Sequence, residues 1–116
     1  MSATITNKFG KIVIDKKVIA ALAAESAQES YGIVGLAIQN TTDGIFELLG
    51  VENRSKGVKV TVHNDIVDID LIVIMEYGVR ISVVADNIIE KVKYSIEKNT
   101  HLKVNSVNII VQGIRI

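Results

Sequence analysis

The clearest hydrophobic pattern in the chain lies between Ile66 and Met75. The odd positions of this run are all apolar and share one face of a strand, because strand side chains alternate between two faces. The even positions change from two aspartates at the start to two isoleucines near the end. This pattern predicts a central strand with one fully buried face and a second face that another element covers only toward its end.

A second strand is predicted directly before the central one. Val58–His63 alternates between apolar and polar residues, as a half-buried strand does. Asn64 and Asp65 separate the two runs, and both residue types tolerate the left-handed backbone of a tight turn. We therefore predict a β-hairpin.

Two helices are predicted from apolar residues that recur every three to four positions. The longer one follows Gly78 at a sharp corner, begins near Ile81 with Ser82 as its N-cap, and ends at Asn99 or Thr100. The shorter one has Asp15 as its N-cap and Gly32 as its C-cap. The apolar stripe of the shorter helix is rich in alanine, so this helix can lie close to the element that it covers.

The other segments complete a single domain of 116 residues. We expect residues 1–9 to fray, and we predict strands at 10–14, at 33–38 with a break at Gly35, and at 103–112. Two helices among strands that are mostly joined by short turns predict an α+β fold. In this fold both helices pack on one face of a mixed, mostly antiparallel sheet in two layers.

The composition excludes several kinds of chemistry. The absence of cysteine excludes disulfides, thiolate metal sites and cysteine nucleophiles, and it fits a cytoplasmic protein. The absence of tryptophan and the small number of other aromatic residues leave little for base stacking.

The charge of the chain is zero overall but unevenly distributed. Residues 18–53 contain no lysine or arginine, and they carry five acidic residues: Glu25, Glu29, Asp43, Glu47 and Glu52. These acids are either an ordinary solvated surface or a surface that binds a basic protein partner. The sequence leaves both interpretations open.

The residues that most resemble a catalytic or metal site lie around the central strand. Asp65, Asp68, Asp70 and Glu76 would supply carboxylates, but their spacing matches no known metal-binding loop. The two histidines, His63 and His101, show neither metal-ligand spacing nor the order of a catalytic triad. We therefore expect no catalytic residue, no metal ligand and no cofactor, and we predict that the protein is not an enzyme.

A nucleic-acid-binding site is the alternative that the sequence offers. Gly32–Gly35 has the G-x-x-G spacing of the KH loop, which clamps a nucleic-acid backbone. A loop that grips phosphates needs lysine or arginine nearby, and the surrounding residues are acidic. A helix end followed by a strand bulge accounts for the same glycines.

The order of several short motifs resembles the alkaline shock protein family, the envelope stress response proteins of Gram-positive bacteria. The motifs that carry this resemblance are Tyr31–Gly35, Glu76-Tyr77-Gly78 and the closing Val104–Gly113. The resemblance extends from Gly10 to Gly113 and identifies Tyr77, Gly78 and Gly113 as motif positions with a structural role.

The resemblance implies a non-enzymatic cytoplasmic scaffold or adaptor that is linked to envelope homeostasis or stress. Such a protein associates with itself and binds a membrane-anchored partner, which places it at the inner face of the membrane. Neither insertion into the bilayer nor nucleic-acid binding is expected. The five acids of residues 18–53 are the hypothetical surface for the partner.

Overall fold

A single long strand lies at the centre of the sheet in the computed structural model, which describes residues 2–39 and 46–116. The α+β fold class is confirmed, with two helices and a mixed, mostly antiparallel sheet. The described elements, apart from a 3-10 helix at Val51–Gly57, are β1 (Ser2–Asn7), β2 (Gly10–Asp15), α1 (Lys16–Gln28), β3 (Ile33–Gln39), β4 (Phe46–Leu48), β5 (Val58–His63), β6 (Ile66–Glu76), α2 (Ile81–Thr100) and β7 (Lys103–Arg115).

Strand β6 pairs with three other strands. β7 runs parallel to it along its whole length, from the Ile66–Lys103 pair to the Glu76–Arg115 pair. The opposite edge is shared by β5, which pairs with the first half of β6, and by β3, which pairs with Val73–Met75. Because β6 and β7 are parallel, the chain must cross over between them, and α2 makes this crossover.

The core lies between the sheet and the two helices. The odd positions of β6 are fully buried, as predicted, and α2 faces them with a stripe of buried residues: Val84, Ile88, Val92 and Ile96. Burying one such side chain stabilises the fold by roughly 1.5–3 kcal/mol, whereas a surface ion pair along a helix contributes about 0.3–0.5 kcal/mol. The buried stripe therefore holds α2 in place, and alanines at the matching positions of α1 let the two helices approach each other.

The second face of β6 is covered toward its end, as the sequence predicted. Ile74 points to this face and is fully buried. The register places Gly35 of β3 and Gly113 of β7 on either side of Ile74, so neither neighbour adds a side chain there. Bulges interrupt both pairings at this point, which confirms the predicted irregularity at Gly35.

The first nine residues differ from our expectation, since Ser2–Asn7 forms a strand instead of fraying. β1 and β2 make a hairpin in which the side chain of Asn7 accepts hydrogen bonds from the N–H groups of Phe9 and Gly10. Ala3 is fully buried, and the Thr4 N–H donates to Asp65 in the turn between β5 and β6 at 2.9 Å. Residues 3–5 alternate between apolar and polar, and they pair with the continuous apolar run 12–14; this was the signal that our interpretation missed.

The helix ends agree only partly with the prediction. Asp15 caps α1, since its carboxylate accepts from the Lys17 N–H at 2.8 Å. Ser82 is not the N-cap of α2, because the corner at Gly78, with φ of +90°, turns the chain early and Arg80 takes that position. Gly32 follows the end of α1 by several residues, and a Cβ there would lie 2.9 Å from Val84, so this glycine lets the turn pack against α2.

We predict that replacing Gly78 with alanine lowers the free energy of unfolding by about 1–2 kcal/mol, because residues other than glycine are strained at its positive φ. No heavy atom lies within 4 Å of the added Cβ, so the loss comes from the backbone alone. Chemical denaturation measures the change. Gly10→Ala is the control, since it also meets open space but has no positive φ, and equal stability of the two variants would contradict this explanation.

Candidate partner-binding surface

The carboxylates of β6 hold the parallel pairing of β6 and β7. Asp68 accepts hydrogen bonds from Ser106 at 2.6 Å and from Asn105 at 3.0 Å, and Asp70 accepts from Asn108 at 2.8 Å. Farther along, Glu76 forms an ion pair with Arg115 at 2.6 Å. Across residues 2–39 and 46–116, no three side chains of the metal-ligating types come together. The acids that the sequence offered as a catalytic or metal site therefore have structural partners.

The pKa of Asp68 is lowered below its usual value. The main cause is the hydrogen bond from the Ser106 hydroxyl, and the Asn105 amide and the nearby His63 act in the same direction. Both donors stabilise the charged carboxylate, and the slight desolvation of this group opposes them. His101, the other histidine, is the C-cap of α2, where its φ is +60°.

Of the two glycines of the proposed nucleic-acid loop, Gly32 lies in the turn before β3 and Gly35 lies within β3. Ile33 and Gly35 pair with Met75 and Ile74, and the carbonyl of Gly32 accepts a hydrogen bond from the Glu76 N–H at 2.9 Å. The backbone groups that a KH-type loop would offer to phosphates are thus engaged in the sheet. The nucleic-acid interpretation depended on free backbone groups at Gly32–Gly35, and the backbone here is paired with β6.

The three motif residues, Tyr77, Gly78 and Gly113, contribute to the structure mainly through their backbone. Tyr77 donates its N–H to the carbonyl of Arg115 at 3.2 Å, but its side chain is 72% exposed. Gly78 makes the corner before α2, and Gly113 lies opposite Ile74 in the sheet. These positions give a structural reason for the two glycines and for the backbone of Tyr77, and they leave the tyrosine ring in solvent.

Two of the five predicted partner-binding acids lie on the outer face of α1. The side chains of Glu25 and Glu29 are 57% and 69% exposed. Glu47 lies in β4 and Glu52 in the 3-10 helix, and their side chains are not among those described. Asp43 lies outside the described residues.

An apolar groove runs along α1 beside these acids. We call it the α1 groove; it is a shallow strip open to solvent, and its lining residues all belong to α1: Lys17, Val18, Ala21, Leu22 and Glu25. Val18 is 49% exposed although it is a large apolar residue. The groove therefore presents an apolar strip with an acidic end.

Each of the two acids has a basic neighbour that sequence reasoning did not find. Arg54 of the 3-10 helix lies 3.4 Å from Glu25, and Lys91 of α2 lies 3.6 Å from Glu29. The Glu29–Lys91 pair is exposed on both sides, and such pairs typically contribute about 0–1 kcal/mol. The Arg54 side chain is only 20% exposed, so its pair with Glu25 is partly buried and costs more to break. No local spacing relates either pair, because each base comes from a distant part of the chain.

The charges of α1 oppose the dipole of the helix. Lys16 and Lys17 lie in the first turn, which contains no acid, while Glu25 and Glu29 lie toward the end, which contains no base. Each charge in such a position disfavours the helix by roughly 0.3–1 kcal/mol at low salt. Apart from the favourable N-cap Asp15, the charges of α1 therefore do not stabilise the helix through its dipole.

The structure also brings together four lysines that sequence reasoning treated separately. Lys16, Lys17, Lys56 and Lys59 line one cavity between the start of α1, the end of the 3-10 helix and β5. About forty residues separate the two pairs along the chain. No periodicity or motif in the sequence signals their convergence.

Comparison with protein families matches residues 4–116 to the alkaline shock protein 23 family, which is described by a cell envelope-related function. The protein YloU of Bacillus subtilis (strain 168) is 44% identical over 117 residues, covering 100% of this chain and 98% of that protein. Spy1614 of Streptococcus pyogenes serotype M6 is 38% identical over 117 residues, covering 100% of this chain and 97% of that protein.

Solved structures of the MamM CTD share the fold. One variant has a TM-score of 0.51 at 13% sequence identity, with 84% of this chain and 96% of that chain covered. Another has a TM-score of 0.52 at 13% identity, with 87% and 96% covered. In the part of our chain that the structure describes, no helix combines the length and apolar composition needed to cross a membrane.

We predict that replacing Ser106 with alanine raises the pKa of Asp68 and destabilises the fold at neutral pH. A depressed aspartate pKa stabilises the folded state above the unfolded value of about 4, and this contribution disappears as the pH falls through the folded value. The difference between variant and wild type should therefore shrink on acidification below pH ~4. NMR titration of the carboxyl groups measures the pKa of Asp68. Urea unfolding at neutral pH and below pH ~4 measures the difference in stability.

The control for this prediction is Ser82→Ala, which removes a hydroxyl from an exposed residue of α2 that caps nothing. It should leave the Asp68 titration unchanged. An unshifted Asp68 pKa in Ser106→Ala would mean that the hydroxyl does not stabilise the carboxylate.

Proposed function

The chain belongs to the alkaline shock protein 23 family, whose function is related to the cell envelope, and we propose that it serves there as a non-enzymatic adaptor. In this proposal the protein associates with copies of itself and binds a membrane-anchored partner. It would then lie at the cytoplasmic face of the membrane through that partner. The observation that carries the proposal is the exposed α1 groove with its acidic end.

The chemistry of the α1 groove favours an amphipathic, basic segment as its ligand. Val18 and Leu22 offer apolar contact, and Glu25 and Glu29 offer carboxylates about one helical turn apart. Cytoplasmic segments beside a membrane-spanning helix carry an excess of lysine and arginine. Such a segment could place its apolar side chains in the groove and its bases beside the two acids.

The two acids would act mainly on the rate of association and on its salt dependence. Charges at the rim of an interface steer the encounter, while apolar contacts at its centre supply most of the affinity. On binding, Glu25 and Glu29 would exchange Arg54 and Lys91 for the bases of the partner. The Lys91 pair is exposed and weak, and a glutamine at position 25 could still accept a hydrogen bond from Arg54. Removal of the acids should therefore weaken capture of the partner and leave the protein folded.

The test compares wild type with Glu25→Gln combined with Glu29→Gln in pull-downs from the membrane fraction of a Gram-positive bacterium. We expect the double variant to recover less of the partner at ~0.15 M salt, and we expect wild type to fall toward the same level at ~0.5 M, where charges are screened. Val18→Ser probes the apolar strip in the same assay. It should lower recovery at both salt concentrations.

The matched control is Asp86→Asn combined with Glu90→Gln, which removes two exposed acids from α2 and makes the same change in net charge. Recovery equal to wild type is expected. If all variants recover the partner equally, the α1 groove is not the docking surface.

The hairpin of β1 and β2 supports the second part of the proposal, self-association. Phe9 at its tip is 89% exposed, and Ile12 and Val13 are 52% and 55% exposed. The hairpin is fixed to the domain at its base, where Ala3 is buried. Two-stranded hairpins are only marginally stable in water, so contact with a second copy would protect the apolar side chains and stabilise the strands.

We expect Phe9→Ser combined with Ile12→Thr to shift the protein toward the monomer in sedimentation experiments over a concentration series. The fold should persist, because both side chains lie mostly in solvent. Tyr94→Ser combined with Val83→Thr, which removes exposed apolar groups from α2, is the control and should keep the wild-type distribution. A wild-type protein that stays monomeric throughout would refute self-association itself.

A further inference from the structure

We propose that the four lysines that converge beside α1 bind a phosphate-bearing ligand. The site, which we call the lysine cleft, consists of Lys16, Lys17, Lys56 and Lys59, together with Ser55 and an apolar floor. This inference goes beyond the adaptor function, because it holds whether or not a protein partner occupies the α1 groove.

The lysine cleft is widely open to solvent, and its volume of about 340 Å³ gives room for a small ligand. Ala20 and Val60, each 8% exposed, form its floor with Val58. Ser55 is the neutral polar residue in a lining that otherwise consists of lysines and apolar residues.

No lysine of the cleft belongs to an ion pair among the described residues, where the pairs found engage Arg54, Lys91 and Arg115. Two carboxylates lie nearby and keep their negative charge: Asp15, which caps α1, and Asp70, the cross-strand neighbour of Lys59. Four lysines against two carboxylates leave an excess of positive charge around the cleft, which favours a bound anion.

The position of two of these lysines strengthens the argument. Lys16 and Lys17 lie in the first turn of α1, where the helix dipole already produces a positive potential. This placement is unfavourable for the isolated helix. It is favourable for an anion in the cleft, which would interact mainly with the lysine side chains, because the Asp15 carboxylate already caps this end of the helix.

The lining of the cleft selects the chemical class of the ligand. A lining that contains four lysines suits a group with two or more negative charges, such as a phosphate monoester or a polyphosphate, better than a single carboxylate. No aromatic side chain lines the cleft, so a base-stacking nucleic-acid interface is disfavoured. The apolar floor suits a carbon portion next to the phosphate, either in a soluble phosphate ester or in a lipid headgroup.

The test uses Lys16→Gln combined with Lys59→Gln, which leaves Lys17 of the α1 groove in place. The soluble probe is inorganic triphosphate, measured by calorimetry and by amide NMR. The membrane probe is flotation with phosphatidylcholine vesicles, with and without phosphatidic acid, and vesicles with phosphatidylglycerol control for negative surface charge. Lys93→Gln combined with Lys103→Gln removes two exposed lysines outside the cleft and is the matched control.

We expect the cleft variant to weaken binding of at least one probe by about tenfold, because charge-assisted contacts to phosphate are lost, while the control changes it far less. NMR shifts with triphosphate should concentrate at residues 16–20 and 55–60. Loss of triphosphate binding alone identifies a soluble ligand. Loss of binding to phosphatidic acid vesicles alone identifies a lipid headgroup.

The proposal is overturned if wild type binds neither probe, or if the cleft and control variants weaken binding equally, since this indicates diffuse attraction to the whole surface. Shifts that map elsewhere, or equal binding to phosphatidylglycerol and phosphatidic acid vesicles with no triphosphate binding, also overturn it. If the double variant is poorly folded, Lys56→Gln, at an exposed position, replaces it in the same measurements. None of these measurements depends on capture of a membrane partner, so a negative result for the adaptor function would leave the test of the lysine cleft unaffected.

Discussion

The backbone pairing of β6 is the constraint on which the rest of the structure depends. A strand with one parallel neighbour and two antiparallel neighbours leaves few positions for the other elements. The parallel neighbour requires a crossover, so α2 must lie over the sheet. The opposite edge is shared by β3 and β5, so the chain between these strands must leave the edge and return to it. The 3-10 helix lies in this connection, and α1 covers the remaining part of the same sheet face.

Because the core is almost entirely apolar, the charged side chains lie at the surface of the protein, where they can serve separate roles. Nearly all residues of the core are aliphatic, and the described buried polar residues are limited to Ser26 and Thr100. The acids of β6 are used within the sheet, where amides and a hydroxyl of β7 bind them. The charges of α1 have a different character, because they oppose the helix dipole and add little to the fold. Charges with no structural use are the better candidates for function.

The two surfaces of α1 differ in the kind of molecule that they suit. The α1 groove is apolar with an acidic end, which favours a basic peptide segment. The lysine cleft is an open depression with four lysines among its lining residues, which favours a compact anion. Lys17 borders both, so a ligand in the cleft would alter the electrostatic potential at the start of the groove. Family membership supplies the cellular setting, whereas the chemistry of these surfaces supplies the candidate ligands.

The features that the sequence determined by itself are those that depend on neighbours along the chain. The burial pattern of β6, the turn at Asn64 and Asp65, the α2 stripe and the Asp15 cap all follow from local periodicity or local hydrogen bonding, and all were predicted. The family resemblance was also visible in the order of the motifs, and the comparisons confirm it.

Only the tertiary structure decided which distant residues meet. The ion pairs of Glu25 and Glu29, the placement of Gly35 and Gly113 beside Ile74, and the lysine cleft each join segments that are far apart in sequence. Tertiary context also changed local choices. Arg80 instead of Ser82 takes the N-cap position of α2, and packing of Ala3 into the core turned a polar terminus into a strand. Local patterns specify elements, but side chains from separate elements converge only after the pairing of β6 has set where each element lies.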